Sequence, residues 1–466
     1  MSDDSSYLFY QSRNPRPFLD YGEGIYLFDE DGKRYIDGSS GAMVSNIGHS
    51  NPRVLAKIKA QMDKATFGYR LHFRTHPSED LAAKTVAMTP DGLDRVFFVS
   101  GGSEAVESAV KLARQYALTQ GQDARHKVIS RFPSYHGCTF GALDLTGYDP
   151  LREPFAPMME GMPKVAAPAT YLDRDNLSEE ARGIKYADLL RDKILAEGPE
   201  TVLAFIMEPV GGASTGALVA PDSYYGRIRD ICDEFGVLLI YDEVMTGAGR
   251  TGKFLAAEHW GITPDIVAMS KGFGAGYAPL GAIVAGARLV EPVLDAGGFL
   301  HGFTYAGNPL ACSAGLAVLE EMEDQGLIDN AARMGEVLMV QLRVLMDRYP
   351  FIGDVRGKGL LTAFEFVADR ETMEPLPPEL DAHARVVELA YERGLIIYSR
   401  RTRGGTAGDH FLIAPPLIIT EPQIDELMGI LRAALDAFAQ EVGLPIERER
   451  VPGASHTVHQ APPETF

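Results

Sequence analysis

The sequence predicts an α/β fold: a large domain with a mainly parallel sheet, and a smaller α+β domain assembled from the N- and C-terminal segments. Three observations lead there. Short continuous apolar runs at 95–99, 127–130, 202–207, 237–241 and 266–269 alternate with helical stretches. Such runs mark strands buried on both faces of a parallel sheet. After Asn308-Pro309 the pattern changes to long helices with a few strands between them. At 466 residues the chain also exceeds the ~250–300 at which a single core stops growing. The expected division is an N-terminal segment at 1–50, a large domain at 51–308, a C-terminal small domain at 309–445 and a polar tail at 446–466.

Taken in order, residues 24–36 read as a hairpin. Ile25-Tyr-Leu-Phe and Arg34-Tyr-Ile flank the turn signal Asp29-Glu-Asp-Gly32. A Gly/Ser-rich loop at 37–52 precedes an amphipathic helix at 52–64. Residues 103–117 are helical, with Val106, Val110, Ala113 and Ala117 spaced for one face. A second helix spans 223–234. Residues 161–176 carry several prolines and no period, and read as a surface excursion. Helices follow at 311–323 and 327–348, and strands at 355–366 and 411–413. The closing helix, 422–442, puts Ile424, Leu427, Leu431, Leu435 and Phe438 on one face. The polar, proline-bearing tail reads as an arm that is disordered or orders on contact.

Composition excludes several classes. The net charge of -20 argues against a nucleic-acid partner, which needs a basic face. No apolar run approaches the ~18–20 residues of a membrane helix. The three cysteines, Cys138, Cys232 and Cys312, have neither disulfide nor zinc spacing, and no metal site is expected. The start, Met1-Ser-Asp-Asp-Ser-Ser, is polar and acidic, unlike a signal peptide. A cytoplasmic location is expected.

The chemistry is concentrated at strand ends. The run Ile266–Met269 ends in Ser270-Lys271, with glycines at 272, 274 and 276. A buried lysine loses charge, and a neutral amine is a nucleophile suited to a Schiff base. The competing reading of this stretch alone is a lysine that snorkels into water. Val99-Ser-Gly-Gly-Ser joins a strand to a helix, so Gly101, Gly102 and Ser103 offer backbone N–H groups and a hydroxyl to a phosphate. An ordinary capped turn looks the same at this level. Asp242 and Glu243 end a buried strand, where ligands of open α/β sheets bind. A carboxylate there needs a positive partner, such as a protonated pyridine nitrogen, or it is a structural cap or an ion pair with Arg250. Glu208 reaches the same edge from the preceding strand. Tyr135, beside His136, offers an aromatic face for a flat heterocycle, although each residue alone reads more simply as structural. Together these groups make the set that pyridoxal phosphate requires: a Schiff-base lysine, an acid for the ring nitrogen and an anchored phosphate.

With these motifs the chain resembles the class III (omega) aminotransferases of the fold-type I pyridoxal-phosphate enzymes, from about residue 24 to 442. The strongest likeness is Asp242-Glu-Val-Met-Thr-Gly-Ala-Gly-Arg-Thr-Gly followed by Pro264-Asp-Ile-Val-Ala-Met-Ser-Lys271-Gly. The resemblance implies that Lys271 forms the Schiff base and Asp242 pairs with the pyridinium nitrogen. It implies that Val244 and Tyr135 pack on the two ring faces and that Glu208 lies near Asp242. His301-Gly-Phe-Thr-Tyr-Ala-Gly-Asn-Pro309 resembles the segment whose threonine, here Thr304, reaches the cofactor phosphate of a neighbouring subunit, which implies a homodimer. Met43 and Tyr69 fall in stretches that resemble pocket linings. Arg400, Arg401 and Arg403 fall where a carboxylate-binding arginine is expected, in a loop lengthened by glycines. The chain departs from the family pattern at Gly101, where serine is frequent, at Asn308, where histidine is common, and near Met43, where many relatives carry a large aromatic.

The implied activity is ping-pong transfer of an amino group from an amine or omega-amino acid to a 2-oxo acid, pyruvate or 2-oxoglutarate. An aminomutase or a decarboxylase on the same fold is the alternative. A non-enzymatic cofactor-binding regulator would need a DNA-binding module, and the acidic chain has no spare segment for one.

Overall fold

The computed structural model describes residues 7–11 and 16–447. The acidic start at 1–6 and all of the expected tail beyond Glu447 lie outside the described residues. Among the described residues no helix is long and apolar enough to cross a membrane.

A seven-stranded sheet forms the centre. Its order is Arg95–Val99, Gly281–Ala285, Ile266–Met269, Leu238–Asp242, Val202–Met207, Lys127–Phe132, Lys164–Ala166. The strands from Ile266–Met269 to Lys164–Ala166 pair in parallel. Gly281–Ala285 is antiparallel to both of its neighbours, so Arg95–Val99 points the same way as the parallel set. All six residues of Val202–Met207 are buried, as a strand covered on both faces requires. Helix Gly102–Thr119 covers one face, burying Ala105, Val106, Ala109, Leu112, Ala113 and Ala117 at helical spacing.

The two ends of the chain meet in a second sheet. Leu19–Glu23, Tyr26–Asp29 and Arg34–Asp37 form an antiparallel meander, and Leu395–Ile396 joins it in parallel. A third, antiparallel sheet has the order Ile352–Lys358, Leu361–Phe366, Ala407–Ile413, Tyr398–Arg403. Helices Leu327–Arg348 and Glu421–Val442 pack beside it, the second through Ile424, Leu427, Leu431, Leu435 and Phe438.

Several elements differ from the sequence reading. The stretch 355–366 is two strands that turn at 359–360. The basic stretch 398–409 is an edge hairpin. Its charges hid it, but an edge strand tolerates charge, and Arg401 pairs across the ladder with Asp409 at 3.0 Å. Residues 161–176 include the short strand Lys164–Ala166. Helices His76–Met88 and Glu179–Glu197 carry too few apolar residues at regular spacing to stand out. The second opens with Ser178 accepting from the Ala181 N–H at 3.2 Å.

Arg250 ties these parts together. It is fully buried, and its guanidinium donates to the Leu360 and Pro415 carbonyls at 3.2 and 2.5 Å, to the Ser40 hydroxyl at 3.1 Å and to Asn46 Oδ1 at 2.7 Å. Burial pushes its pKa down to about 9. Arg250→Met removes those donors and leaves buried acceptors unpaired, each costing roughly 1–3 kcal/mol. We expect a loss of about 3 kcal/mol or more in urea unfolding; a change below about 1 kcal/mol would remove Arg250 from this role.

Candidate active site

Five strands of the central sheet end along one edge, and each delivers a polar group there. Asp242 closes Leu238–Asp242, and Glu208 follows Val202–Met207. Tyr135 and His136 follow Lys127–Phe132, Lys271 follows Ile266–Met269, and Gly101–Ser103 follow Arg95–Val99. The edge of the sheet thereby gathers residues that are far apart in sequence.

They line one cleft of about 630 Å³: Gly102, Ser103, Tyr135, His136, Glu208, Asp242, Val244 and Lys271, with Thr246 and Met245 beside them. Asp242 is buried. Its Oδ2 lies 2.8 Å from His136 Nδ1, and its Oδ1 accepts from the Val244 N–H at 3.1 Å. His136 Nε2 is buried without a hydrogen-bond partner among the described residues. Glu208 accepts from the Gly212 N–H at 2.9 Å and the Tyr135 N–H at 3.4 Å. Burial pushes its carboxyl above the usual range, opposed by the neighbouring His136 and Arg131. Lys271 keeps partial exposure in the cleft, yet its loss of hydration lowers the amine below the ordinary lysine value. Asp242 and Glu208 pull it back up, and Arg250 pushes it down.

The helix start at which the sequence places a phosphate cradle belongs to Gly102–Thr119, and its N-cap makes no side-chain hydrogen bond. Gly102 is required by close packing: a Cβ there would lie 2.8 Å from Val244 Cγ1. Ser103 Oγ accepts from the Cys138 N–H at 3.0 Å. Glu243, in contrast, turns away from the cleft. Its carboxylate receives the Ala256 and Ala257 N–H groups at 3.0 and 2.8 Å and the Thr246 hydroxyl, and burial raises its pKa to about 7. It is a structural cap, and it forms no ion pair with Arg250.

A wider cleft of about 1130 Å³ opens beside Lys271. Met43 and Arg400 line it, with Leu143, Tyr148, Leu151, Phe155, Ser214 and Tyr398. Arg400 donates to the Tyr398 hydroxyl at 2.8 Å. Arg401 and Arg403 point elsewhere, to Asp409 and to the Met373 carbonyl. Tyr69 and Thr304 are not in this chain's own cleft. They share another face, where Arg70 donates to the Phe303 carbonyl at 2.9 Å. Asn308 accepts from the Leu310 and Ala311 N–H groups at 3.0 Å and caps helix Pro309–Asp324. The sequence reading missed the apolar wall at 143–155 and the Ala213-Ser214 loop; the only signal was the aromatic and apolar residues set among the prolines of 148–157.

An uncapped helix start, an apolar side chain and an aromatic one in the same cleft, a buried acid and a half-buried amine of lowered pKa fit pyridoxal phosphate. The buried, unpartnered nitrogen of His136 behind Asp242 belongs to the same polar set. Fold and site together define a pyridoxal-phosphate enzyme of fold type I. The sequence profile of aminotransferase class-III matches residues 10–435. An uncharacterized aminotransferase of Bacillus subtilis is 40% identical over 91% of this chain and 96% of its own length. The putrescine–pyruvate aminotransferase of Pseudomonas aeruginosa is 34% identical over 91% and 94%. An (S)-enantioselective omega-transaminase from Thermomicrobium roseum superposes with a TM-score of 0.88, at 36% identity over 93% of this chain and 96% of that one. An omega transaminase of Pseudomonas jessenii in complex with PMP gives 0.86, at 35% identity over 92% and 94%. The chain belongs to the class III aminotransferase family, and it is a pyridoxal-phosphate-dependent transaminase.

A lowered pKa means that the neutral amine appears at lower pH. In cofactor-free protein, a reagent selective for neutral amines is expected to label Lys271 at a pH that leaves surface lysines unmodified. Glu208→Gln removes a charge that holds the proton on, so labelling should extend to still lower pH. Peptide mass spectrometry reads both, and labelling no earlier than at surface lysines would refute the buried-amine assignment.

Proposed function

We propose that Lys271 is the cofactor-bearing lysine and that Asp242 holds a proton on the cofactor's ring nitrogen. The carrying observation is that Lys271, Asp242 and the Gly102–Ser103 helix start line one cleft. When bound, pyridoxal phosphate supplies an electron sink for the negative charge that develops at the substrate carbon. The Gly101, Gly102 and Ser103 turn binds phosphate through backbone N–H groups at the positive end of the helix. Tyr135 and Val244 orient the ring from its two faces. His136 fixes the Asp242 carboxylate, and Glu208 adds negative charge beside it. With the cofactor bound, Lys271 would serve through its Nζ as the base that takes up and returns the donor's proton, which its lowered pKa favours.

The substrates in this reading are an amine or omega-amino acid donor and a 2-oxo acid acceptor. Arg400 receives the acceptor carboxylate, supported by its place in the cleft that also holds Lys271. Met43 shapes the same pocket. The active unit is a homodimer. Phe67, Leu71, Phe73, Leu300 and Tyr305 are exposed large apolar residues near Tyr69 and Thr304, and a second copy covering them brings Thr304 to its phosphate and Tyr69 to its pocket. The three free cysteines suit a reducing cytoplasm.

A donor–acceptor panel tests this reading. Free amino acid formed from excess 2-oxo acid supports it; turnover without an acceptor, or with carbon dioxide release, favours the aminomutase or the decarboxylase. Asp242→Asn is expected to slow the half-reaction with donor at least ~100-fold. Arg400→Gln is expected to raise KM for the 2-oxo acid about tenfold with kcat little changed; an unchanged KM would reassign the carboxylate site. Light scattering is expected to give twice the chain mass, and Thr304→Val to weaken cofactor retention on dialysis about tenfold, the loss of roughly one hydrogen bond to a charged group.

A further inference from the structure

The edge hairpin that carries Arg400 ends in Gly404-Gly405-Thr406, and this tip rests on the far wall of the wide cleft. A Cβ on Gly405, whose φ is +91°, would lie 2.6 Å from Pro150 Cγ and Cδ and 2.9 Å from Tyr148 Cζ. A Cβ on Gly404 would lie 3.0 Å from Phe132 Cζ. The Arg401 N–H points at the Tyr148 hydroxyl at 3.4 Å. Tyr148 is buried, and it lines the cleft together with Leu151 and Phe155 from the turns that follow it. Tyr398 and Arg400 line the cleft from the strand that leads to the tip. Two walls from distant parts of the chain thus meet at the hairpin tip, and at Gly405 only a residue without a side chain allows them to come this close.

We infer that the Gly404-Gly405 tip is a specificity-determining element: its seating on Tyr148 and Pro150 sets the spacing between the apolar wall at 148–155 and the strand carrying Tyr398 and Arg400. The spacing fixes how well a donor with a bulky apolar body packs in the cleft. It does not touch the cofactor, because neither the tip nor Pro150 lines the cleft around Asp242 and Lys271. Tight packing makes such a spacing sensitive to a single methyl group. The inference rests on the reading that this cleft takes the amino donor.

The test perturbs the contact from both sides in the cofactor-loaded protein. Pro150→Ala removes the ring atoms that face Gly405, and Gly405→Ala adds a methyl against them. The probes are 1-phenylethylamine, which reaches the wall, and propan-2-amine, which does not. Each single variant is expected to raise KM for the aromatic amine by about tenfold, the range that one methylene commands in an apolar pocket. KM for the short amine, kcat and the cofactor dissociation constant should stay within about twofold. The double variant should recover most of the aromatic KM, because the new methyl fills the space the ring vacates. Pro150 is exposed, so Pro150→Ala keeps the test informative even if the strained Gly405→Ala protein does not fold. Equal shifts for both amines, no shift in Pro150→Ala, or a folded double variant without recovery would overturn the inference. Transfer by the unmodified protein from the short amine but not the aromatic one also overturns it. No transfer from either amine while an omega-amino acid is turned over overturns the inference alone; no transfer from any donor of the panel sinks the underlying reading, and the inference with it.

Discussion

The Arg250 guanidinium is the constraint on which the remaining geometry depends. It follows the strand that carries Asp242, yet its partners are Ser40 and Asn46 from the N-terminal segment and the Leu360 and Pro415 carbonyls from the C-terminal one. A planar fork of donors meets acceptors from three parts of the chain, which the compact ammonium of a lysine could not satisfy at once. The loop at 40–46 contributes Met43 to the wide cleft, and the strand before Pro415 pairs with the strand of Arg400. Holding Arg250 therefore holds the Met43 loop and the segment after the Arg400 hairpin against the sheet. The same cation lowers the pKa of Lys271, so one buried charge has a structural and an electrostatic effect.

At the sheet edge the electrostatics are a balance of opposed effects. Burial disfavours charge on Lys271 and on Glu208 alike, moving the amine down and the carboxyl up. Asp242 is held by its contacts: His136 Nδ1 lies 2.8 Å from its Oδ2, and the Val244 N–H donates to its Oδ1 at 3.1 Å. The result is a lysine amine shifted towards its neutral form, in the same cleft as a carboxylate fixed in place by two contacts. Neighbours in sequence need not share a fate. Asp242 and Glu243 are adjacent, but the strand's alternation sends one into the cleft and the other under the loop at 256–257.

How much of this was legible in the sequence follows from where each signal lies. The cofactor cleft is built from strand ends, and a short apolar run that stops at a polar residue announces both the strand and the residue it delivers. Lys271, Asp242, Glu208 and Tyr135 could be read that way, and the Gly101–Ser103 turn by its glycines. The strand Gly281–Ala285 was missed because five small and apolar residues after a glycine-rich stretch carry no period of their own. The hairpin at 398–413 was missed because its edge strand is polar, with pairing supplied by Asp409 and His410 across the ladder. Among Arg400, Arg401 and Arg403 the sequence offers no choice. Strand alternation alone would put Arg400 on the face opposite the other two, and only the packing of the sheet tells which of those faces meets the cleft.

That contrast separates two kinds of specification in one molecule. The groups around Asp242 and Lys271 sit at the ends of the central strands, where a shift of one residue would turn every side chain to the other face. The wide cleft beside them is lined from a left-handed backbone position at Met43, an edge hairpin, and the short turns Asp149–Arg152 and Glu153–Met158. Relatives between 34% and 40% identical, under names as different as putrescine–pyruvate aminotransferase and (S)-enantioselective omega-transaminase, are what such a division allows. The polar groups of one cleft come from strand ends, and the second cleft takes its width from where the hairpin tip meets Tyr148 and Pro150.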